Sequence, residues 1–383
     1  MRLSKSVSFW GPVCGIIIFI QHVGCLPVSE SETPCELPKG VKGVCKDIAI
    51  CPAALSNLRS GVRDIVKCSG DDPKLICCPI TPRPSAQKCS EYMNILKSSS
   101  KGPVPLLPPG FFEDEPEEIH CSLNLNPLIS GGRPAEVGEF PHVAVLAYDV
   151  PRIPWRCGGT LISDEFLLTA GHCVNNPAAG PPLRVLLGDV TLSKSTSETR
   201  ENIDVDTIIV HPLYHPPETY HDLALIKLAR KVKLSRSILP ACLVQPEDDF
   251  LKGVENRTLN VAGWGVLGTG EAQSDILQVA GLSGYSLKSC NALYNGLPAK
   301  DLKFPVGIAR SQICAGDKVG RKDTCKGDSG APLFLTKTER CVFYLLGITS
   351  FGPSQCGSFT PGIYTNIYSY LDWIEQNVWP EKS

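Results

Sequence analysis

The stretch Asp323-Thr324-Cys325-Lys326-Gly327-Asp328-Ser329-Gly330-Ala331-Pro332 decides how this 383-residue chain is read. It sets a hydroxyl between glycines, with two carboxylates and a cysteine close by in sequence. A serine becomes a nucleophile only when a base takes its proton. A histidine and a carboxylate must therefore be found elsewhere in the chain to match Ser329.

Two other stretches supply them. Leu168-Thr169-Ala170-Gly171-His172-Cys173 places a histidine just after an apolar run, and Asp222-Leu223-Ala224-Leu225-Ile226 places an aspartate at the start of another. Alone, each is ordinary, because single histidines and aspartates are more often structural than catalytic. Around them, short apolar runs recur between glycine and proline turns from Ile129 onward. Residues 143–148, 160–162, 166–169, 183–187, 223–228, 259–264, 342–349 and 362–367 read as strands. Many short strands without alternating helices predict an all-β barrel or sandwich. Ile367, Leu371, Ile374 and Val378 recur at helical spacing and predict one C-terminal amphipathic helix.

A net charge of −2 gives no reason to expect nucleic acid or an anionic membrane as partner. The 18 cysteines are more informative. Arg2 and Lys5 precede an apolar run, Val13 to Ile20, and then Val23-Gly24-Cys25. This reads as a secretory signal peptide over residues 1–25. A membrane anchor is the competing reading, but the run is short for a bilayer and stops at Gln21-His22, and no later segment is long and apolar enough. The expected protein is extracellular, with its thiols paired. Removing Cys14 and Cys25 with the signal leaves an even number of cysteines.

Residues 35–78 hold Cys35, Cys45, Cys51, Cys68, Cys77 and Cys78. A segment so small cannot bury enough apolar surface to fold unaided, and three disulfides would stabilise it. Zinc is disfavoured because paired C-x-x-C knuckles are missing. Adjacent Cys77 and Cys78 need different partners. Residues 79–128 read as a proline-rich, acidic linker with a short helical island at Lys88-Cys89-Ser90-Glu91-Tyr92. Asn256-Arg257-Thr258 is a glycosylation sequon.

Taken together, the order His172, Asp222, Ser329 and the three local contexts resemble the chymotrypsin-fold serine proteases. The resemblance covers residues 129–383 and implies two antiparallel β-barrels with the triad between them. It implies that Ser329 is the nucleophile, His172 the general base and Asp222 its orienting partner. It places the oxyanion hole at the N–H groups of Gly327 and Ser329. Asp323 becomes the base of the primary pocket, with Gly352 and Gly362 as its walls and Ser350 as a further substrate-binding residue, which implies cleavage after Arg or Lys. Phe351, Ala331 and Gly171 depart from the usual residues without removing a catalytic group.

The same resemblance implies activation between Leu128 and Ile129, after which the new Ile129 ammonium pairs with Asp328. Leu128 is not basic, so the implied activator is an upstream protease with apolar specificity. The six-cysteine segment and linker resemble the clip-domain proteases of arthropods, in particular the snake and persephone subgroup. That resemblance implies the bridges Cys35–Cys77, Cys45–Cys68, Cys51–Cys78, Cys157–Cys173, Cys290–Cys314 and Cys325–Cys356. It also implies Cys121–Cys242, and leaves Cys89 to Cys341. The implied role is a zymogen in a Toll or prophenoloxidase-type cascade, in immunity or development. Its substrate would be a downstream protease zymogen, and its inhibitors serpins. The alternative is a non-catalytic clip-domain homologue acting as a binding cofactor. No cofactor is expected. Calcium is the one open case, because relatives bind it in the loop matching Asp189 to Glu201, although Arg200 falls near an expected carboxylate.

Overall fold

The structure is a computed structural model. It describes residues 33–38, 41–51, 54, 65–68, 72–79, 82–98 and 132–380. Within the last range, residues 152–153, 176, 178, 194–196, 247, 249–252, 269, 297–299, 319–326, 338–341 and 353–358 are not described. The chain forms two compact units, Met1–Thr81 and Pro82–Ser383.

In the first unit, β1 (Pro34–Leu37), β2 (Val41–Asp47) and β3 (Leu75–Pro79) form an antiparallel sheet in that order. Cys51, Ala54, Ile76 and Cys78 make its small apolar cluster. The structure pairs Cys35 with Cys77, Cys45 with Cys68 and Cys51 with Cys78. Cys77 and Cys78 are neighbours on β3, and strand alternation sends them to opposite faces and so to different partners. Gly43 is required where β2 passes the first bridge: a Cβ there would lie 2.6 Å from Cys77 Sγ.

The second unit opens with helix α1 (Pro84–Ser98). Then come β4 (Arg133–Pro134), β5 (Val143–Ala147), β6 (Trp155–Leu161), β7 (Phe166–Thr169), α2 (Gly171–Val174), β8 (Arg184–Leu187), β9 (Glu201–Val210) and β10 (Ala224–Leu228). Strands β5 to β10 close into a six-stranded barrel in the order β10-β7-β6-β5-β8-β9. There follow β11 (Cys242–Leu243), β12 (Thr258–Gly263), β13 (Gln278–Tyr285), α3 (Leu287–Tyr294), α4 (Lys300–Lys303), β14 (Gln312–Gly316), β15 (Pro332–Lys337), β16 (Val342–Phe351), β17 (Gly362–Asn366) and α5 (Leu371–Val378). The order β16-β15-β12-β13-β14-β17, closed by pairing of β17 with β16, makes a second six-stranded barrel.

The apolar runs follow from this packing. On β5, Ala144 and Leu146 join Leu167, Leu187 and Leu225 in the core of the first barrel. Val143 and Val145 face the other way and join Trp264, Phe334 and Phe343 from the second. Both faces of the strand are therefore buried, which is why it reads as continuous rather than alternating. His142, next to this seam, is fully buried, with its ring 5.0 Å from Phe334 and 4.6 Å from Phe343. Among the described residues neither ring nitrogen has a hydrogen-bond partner, and burial pushes its pKa down to about 3.

One part of the expected linker belongs to the second unit. Helix α1 runs well beyond the five-residue island read from the sequence. Arg83, just before it, donates to both carboxylate oxygens of Glu375 on α5, at 3.0 and 3.2 Å, and also pairs with Asp372. Ser85 gives its hydroxyl (2.5 Å) and its backbone N–H (3.2 Å) to Glu375 Oε1. A carboxylate at the start of a helix is favourably placed against the helix dipole. Tyr92 donates to the Ile162 carbonyl, and Met93 packs beside Val342 and Tyr344.

This docking corrects two expected disulfides. Cys89 on α1 is bonded to Cys242 on β11, with a Cα separation of 5.0 Å. Cys242 is therefore not the partner of Cys121, and Cys89 is not the partner of Cys341. The reason is positional: α1 lies along β11, and Cys89 and Cys242 are buried together. Cys121 and Cys341 themselves lie outside the described residues.

Candidate active site

Strand pairing brings His172 and Asp222 together. Ala224 on β10 pairs with Thr169 on β7, so the residue two before β10 lies beside the turn that follows β7. Asp222 Oδ1 accepts the His172 backbone N–H at 2.8 Å. Asp222 Oδ2 lies 2.8 Å from His172 Nδ1 and accepts the Ser350 hydroxyl at 2.5 Å. Its backbone carbonyl accepts Thr365 Oγ1 at 2.8 Å. With the carboxylate on the Nδ1 side, the neutral ring carries its proton there, and Nε2 is left as the acceptor. Cys173 is bonded to Cys157 beside the ring. These two sulfurs and His172 are close enough for a metal, but disulfide sulfurs are not thiolate ligands.

Burial alone would raise the Asp222 pKa. The charge and hydrogen bond of His172, with the Ser350 hydroxyl, outweigh it and hold the group below the usual carboxylate value. For His172, burial acts against the imidazolium, but Asp222 outweighs it and the pKa is raised. Lys303 opposes that rise through its own charge.

Ser329 arrives on the loop before β15. Gly327 and Gly330, on either side, have φ of 103° and 77°, which favour glycine. Gly158 N–H donates to the Ser329 carbonyl and Gly330 N–H to the Thr349 carbonyl, both at 2.8 Å. A Cβ at Gly330 would lie 2.3 Å from Thr169 Oγ1 and 3.3 Å from Ala170 N. The loop is thus pressed onto the end of β7, just before His172. Among the described contacts, His172 Nε2 makes no hydrogen bond to Ser329 Oγ; this leg of a triad is often loose before substrate binds. Neither Gly327 N–H nor Ser329 N–H donates to a described backbone carbonyl.

Asp328 turns the other way. Its Oδ1 accepts the Gly265 N–H at 2.8 Å. A Cβ at Gly263 or Gly265 would lie 2.2 or 2.4 Å from its carboxylate oxygens, so two glycines make room for it.

The other expected site residues divide. Ser350, expected as a substrate-binding residue, gives its hydroxyl to Asp222, and β16 shifts register between Thr349 and Phe351. The sequence carries no local signal for that role, nor for Thr365. Gly352 follows β16, and Gly362 opens β17 opposite Ala315. Phe351 packs on Phe304 and Tyr294, with Lys303 Nζ 5.9 Å from its ring centre. Cys290 is bonded to Cys314. Asn256 ends a 3-10 turn before β12. Leu128, Ile129, Asp323, Cys325 and Cys356 lie outside the described residues.

Two six-stranded barrels, with a histidine–aspartate pair on one and a glycine-flanked serine loop from the other pressed against it, define the chymotrypsin-like class. The family model described as Trypsin matches residues 129–374. The chain belongs to the trypsin family of serine proteases, and its N-terminal disulfide-rich unit is clip-like. It is 38% identical to Serine protease snk of Drosophila melanogaster over 316 residues, 79% of this chain and 68% of that protein. It is 35% identical to CLIP domain-containing serine protease B4 of Anopheles gambiae, over 69% of this chain and 74% of that one. It is 32% identical to Phenoloxidase-activating enzyme of Bombyx mori, over 91% of this chain and 83% of that one. No described helix is long and apolar enough to cross a membrane.

Proposed function

We propose that this chain is a secreted zymogen that, once cut between Leu128 and Ile129, cleaves a downstream protease zymogen after Arg or Lys. The observation that carries the catalytic part is the hydrogen-bonded chain from Ser350 through Asp222 to His172, with Ser329 on the adjoining loop. In this reading Ser329 Oγ attacks the scissile carbonyl while His172 Nε2 takes its proton. Asp222 steadies the imidazolium that results. The carbonyl oxygen, now negative, accepts from the N–H groups of Gly327 and Ser329. His172 then returns the proton to the leaving amine, and water repeats the sequence on the acyl-enzyme.

Asp323 would select the basic residue, and Asp328 would receive the Ile129 ammonium. The cascade role is supported by likeness to proteases that are clip-bearing or phenoloxidase-activating by name. Secretion is supported by the disulfides and by the signal-like residues 1–25, which lie outside the described residues. The proposed activator is a protease with an apolar pocket. The proposed inhibitors are serpins.

The cut product should stay in one piece. Cys89 and Cys242 lie on opposite sides of Leu128–Ile129, so their bond spans the cut. With those two joined, and with Cys325–Cys356 paired as the resemblance implies, we infer that Cys121 pairs with Cys341. A cut Cys121→Ser variant should run as one band without reductant and two with it. Separation without reductant would contradict the Cys89–Cys242 tether. For specificity, paired Arg, Lys and Phe ester substrates should show turnover of the basic ones only, with the preference lost in Asp323→Ser. Equal turnover of Phe esters by the native protein would overturn the assignment.

A further inference from the structure

The loop that joins β8 to β9 is one in which the fold family implies calcium. The residues here do not fit that ion, because a side chain already holds the position. Arg200 Nη1 donates to Asp189 Oδ2 at 3.0 Å, to the Thr191 carbonyl at 2.6 Å and to the Ser193 carbonyl at 3.2 Å. Its Nη2 donates to the Leu192 carbonyl at 3.1 Å. Three successive carbonyls and a carboxylate therefore converge on one guanidinium. Oxygen donors of this kind are what a hard divalent cation takes as ligands. The Asp189 side chain is 1% exposed and that of Arg200 16%. A guanidinium is planar, always charged and rich in donors, so it can answer several fixed oxygens at once.

The loop is also coupled to the site. Thr199 Oγ1 closes it on the Gly188 carbonyl at 2.6 Å. The Val190 carbonyl accepts Trp264 Nε1 at 2.7 Å and Leu277 N–H at 2.8 Å. The Ser193 N–H and hydroxyl both reach the Asp275 carboxylate, at 2.8 and 2.7 Å. Trp264 precedes Gly265, whose N–H holds Asp328. The chain of contacts runs from Arg200 through the 189–193 turn and Trp264 to the residue beside Ser329.

We propose that the Arg200 guanidinium is a built-in cation that takes the place of a bound divalent ion at the 189–193 turn and makes the order of that turn independent of calcium. The inference does not rest on the catalytic assignment or on the cascade role. A guanidinium cannot dissociate, so the contacts to Trp264 persist at any calcium concentration.

The test uses the full chain. Its melting temperature should be unchanged between excess chelator and millimolar calcium, and terbium should show no binding at this loop. Arg200→Glu removes the internal cation and adds a carboxylate beside Asp189. Without calcium it should melt roughly 6–15 °C lower. Millimolar calcium should restore most of that loss, with one terbium bound per chain. Arg200→Gln, which leaves the oxygens but adds no charge, should show a partial form of the same response if the Glu variant does not fold. Calcium-dependent melting of the native chain, or no recovery of either variant by calcium, would overturn the proposal.

Discussion

Asp222 and Asp189 are both buried aspartates, 1% and 6% exposed, and each is matched to a cationic or potentially cationic partner. Each also accepts from backbone: Asp222 from the His172 N–H, and Asp189 from the Val190 and Thr191 N–H groups. The difference lies in the partner. His172 can gain and lose a proton near neutral pH, and its side chain keeps 34% exposure, with Nε2 uncommitted to the carboxylate. Arg200 cannot lose its proton, and carbonyls close around it. The same buried carboxylate is thus used once to hold a group that works and once to hold a group that must not move. Each pair offsets a desolvation cost that neither charge could meet alone.

The largest test of this contrast is Asp222→Asn. It should lower kcat/KM by about 10⁴-fold, because the amide favours the wrong tautomer of His172. The native pH profile gives a companion measurement. Activity needs neutral His172, so it should rise with pH through a value above 6.5, since Asp222 holds the pKa up. In folding stability the same shift acts oppositely: its contribution is present at low pH and is lost as pH rises through the raised value. If Asp222→Asn leaves the rising limb where it was, Asp222 is not what sets it.

Arg200→Met should leave the rising limb in place and act on stability instead, costing about 3–5 kcal/mol in denaturant unfolding. A shifted limb with little loss of stability would erase the distinction between the two pairs.

His142 is the third case, a buried titratable ring whose nitrogens have no hydrogen-bond partner among the described residues. Its pKa of about 3 lies below the ordinary 6.5. Between those values the unfolded chain binds the proton and the folded chain does not. Folding stability therefore falls as pH drops below about 6.5. His142→Phe should remove that dependence and gain about 2 kcal/mol at pH 5 relative to its effect at pH 8. Parallel acid limbs for the two proteins would show that the ring finds a proton partner.

Ser350→Ala should have the smallest effect. It removes one of the hydrogen bonds on Asp222 and leaves the His172 contact, so a loss of about 1–2 kcal/mol in stability, or about tenfold in kcat/KM, is expected. A loss as large as that of Asp222→Asn would make Ser350 an equal partner in holding the site.

The sequence revealed some of this directly. His172 and Asp222 stood out because each borders a short apolar run, β7 or β10, and those runs became paired strands. Two of the strands that escaped notice lack such a run, although β15 was missed despite Leu333-Phe334-Leu335. β9, Glu-Asn-Ile-Asp-Val-Asp-Thr-Ile-Ile-Val, is polar on its outer face, and β13 is interrupted by Gly281 and Gly284. The partner of Cys89 could not be read for another reason. It depends on α1 docking through Arg83 and Ser85 to Glu375, and contacts so far apart in sequence leave no local pattern. Ser350 and Thr365 were invisible as supports for Asp222 for the same reason. Arg200 was visible as an unusual residue in its loop, but the three carbonyls it gathers were not.

Proteolysis by this chain requires Ser329 to be activated by His172 and Asp222, and one measurement addresses that directly. The protein, cut between Leu128 and Ile129, is titrated with a phosphonylating serine reagent, and the adduct is located by mass spectrometry. One equivalent per chain on Ser329, with labelling slowed about 10⁴-fold in Asp222→Asn, is the predicted result. No labelling of the cut protein, or labelling of another serine, would contradict it.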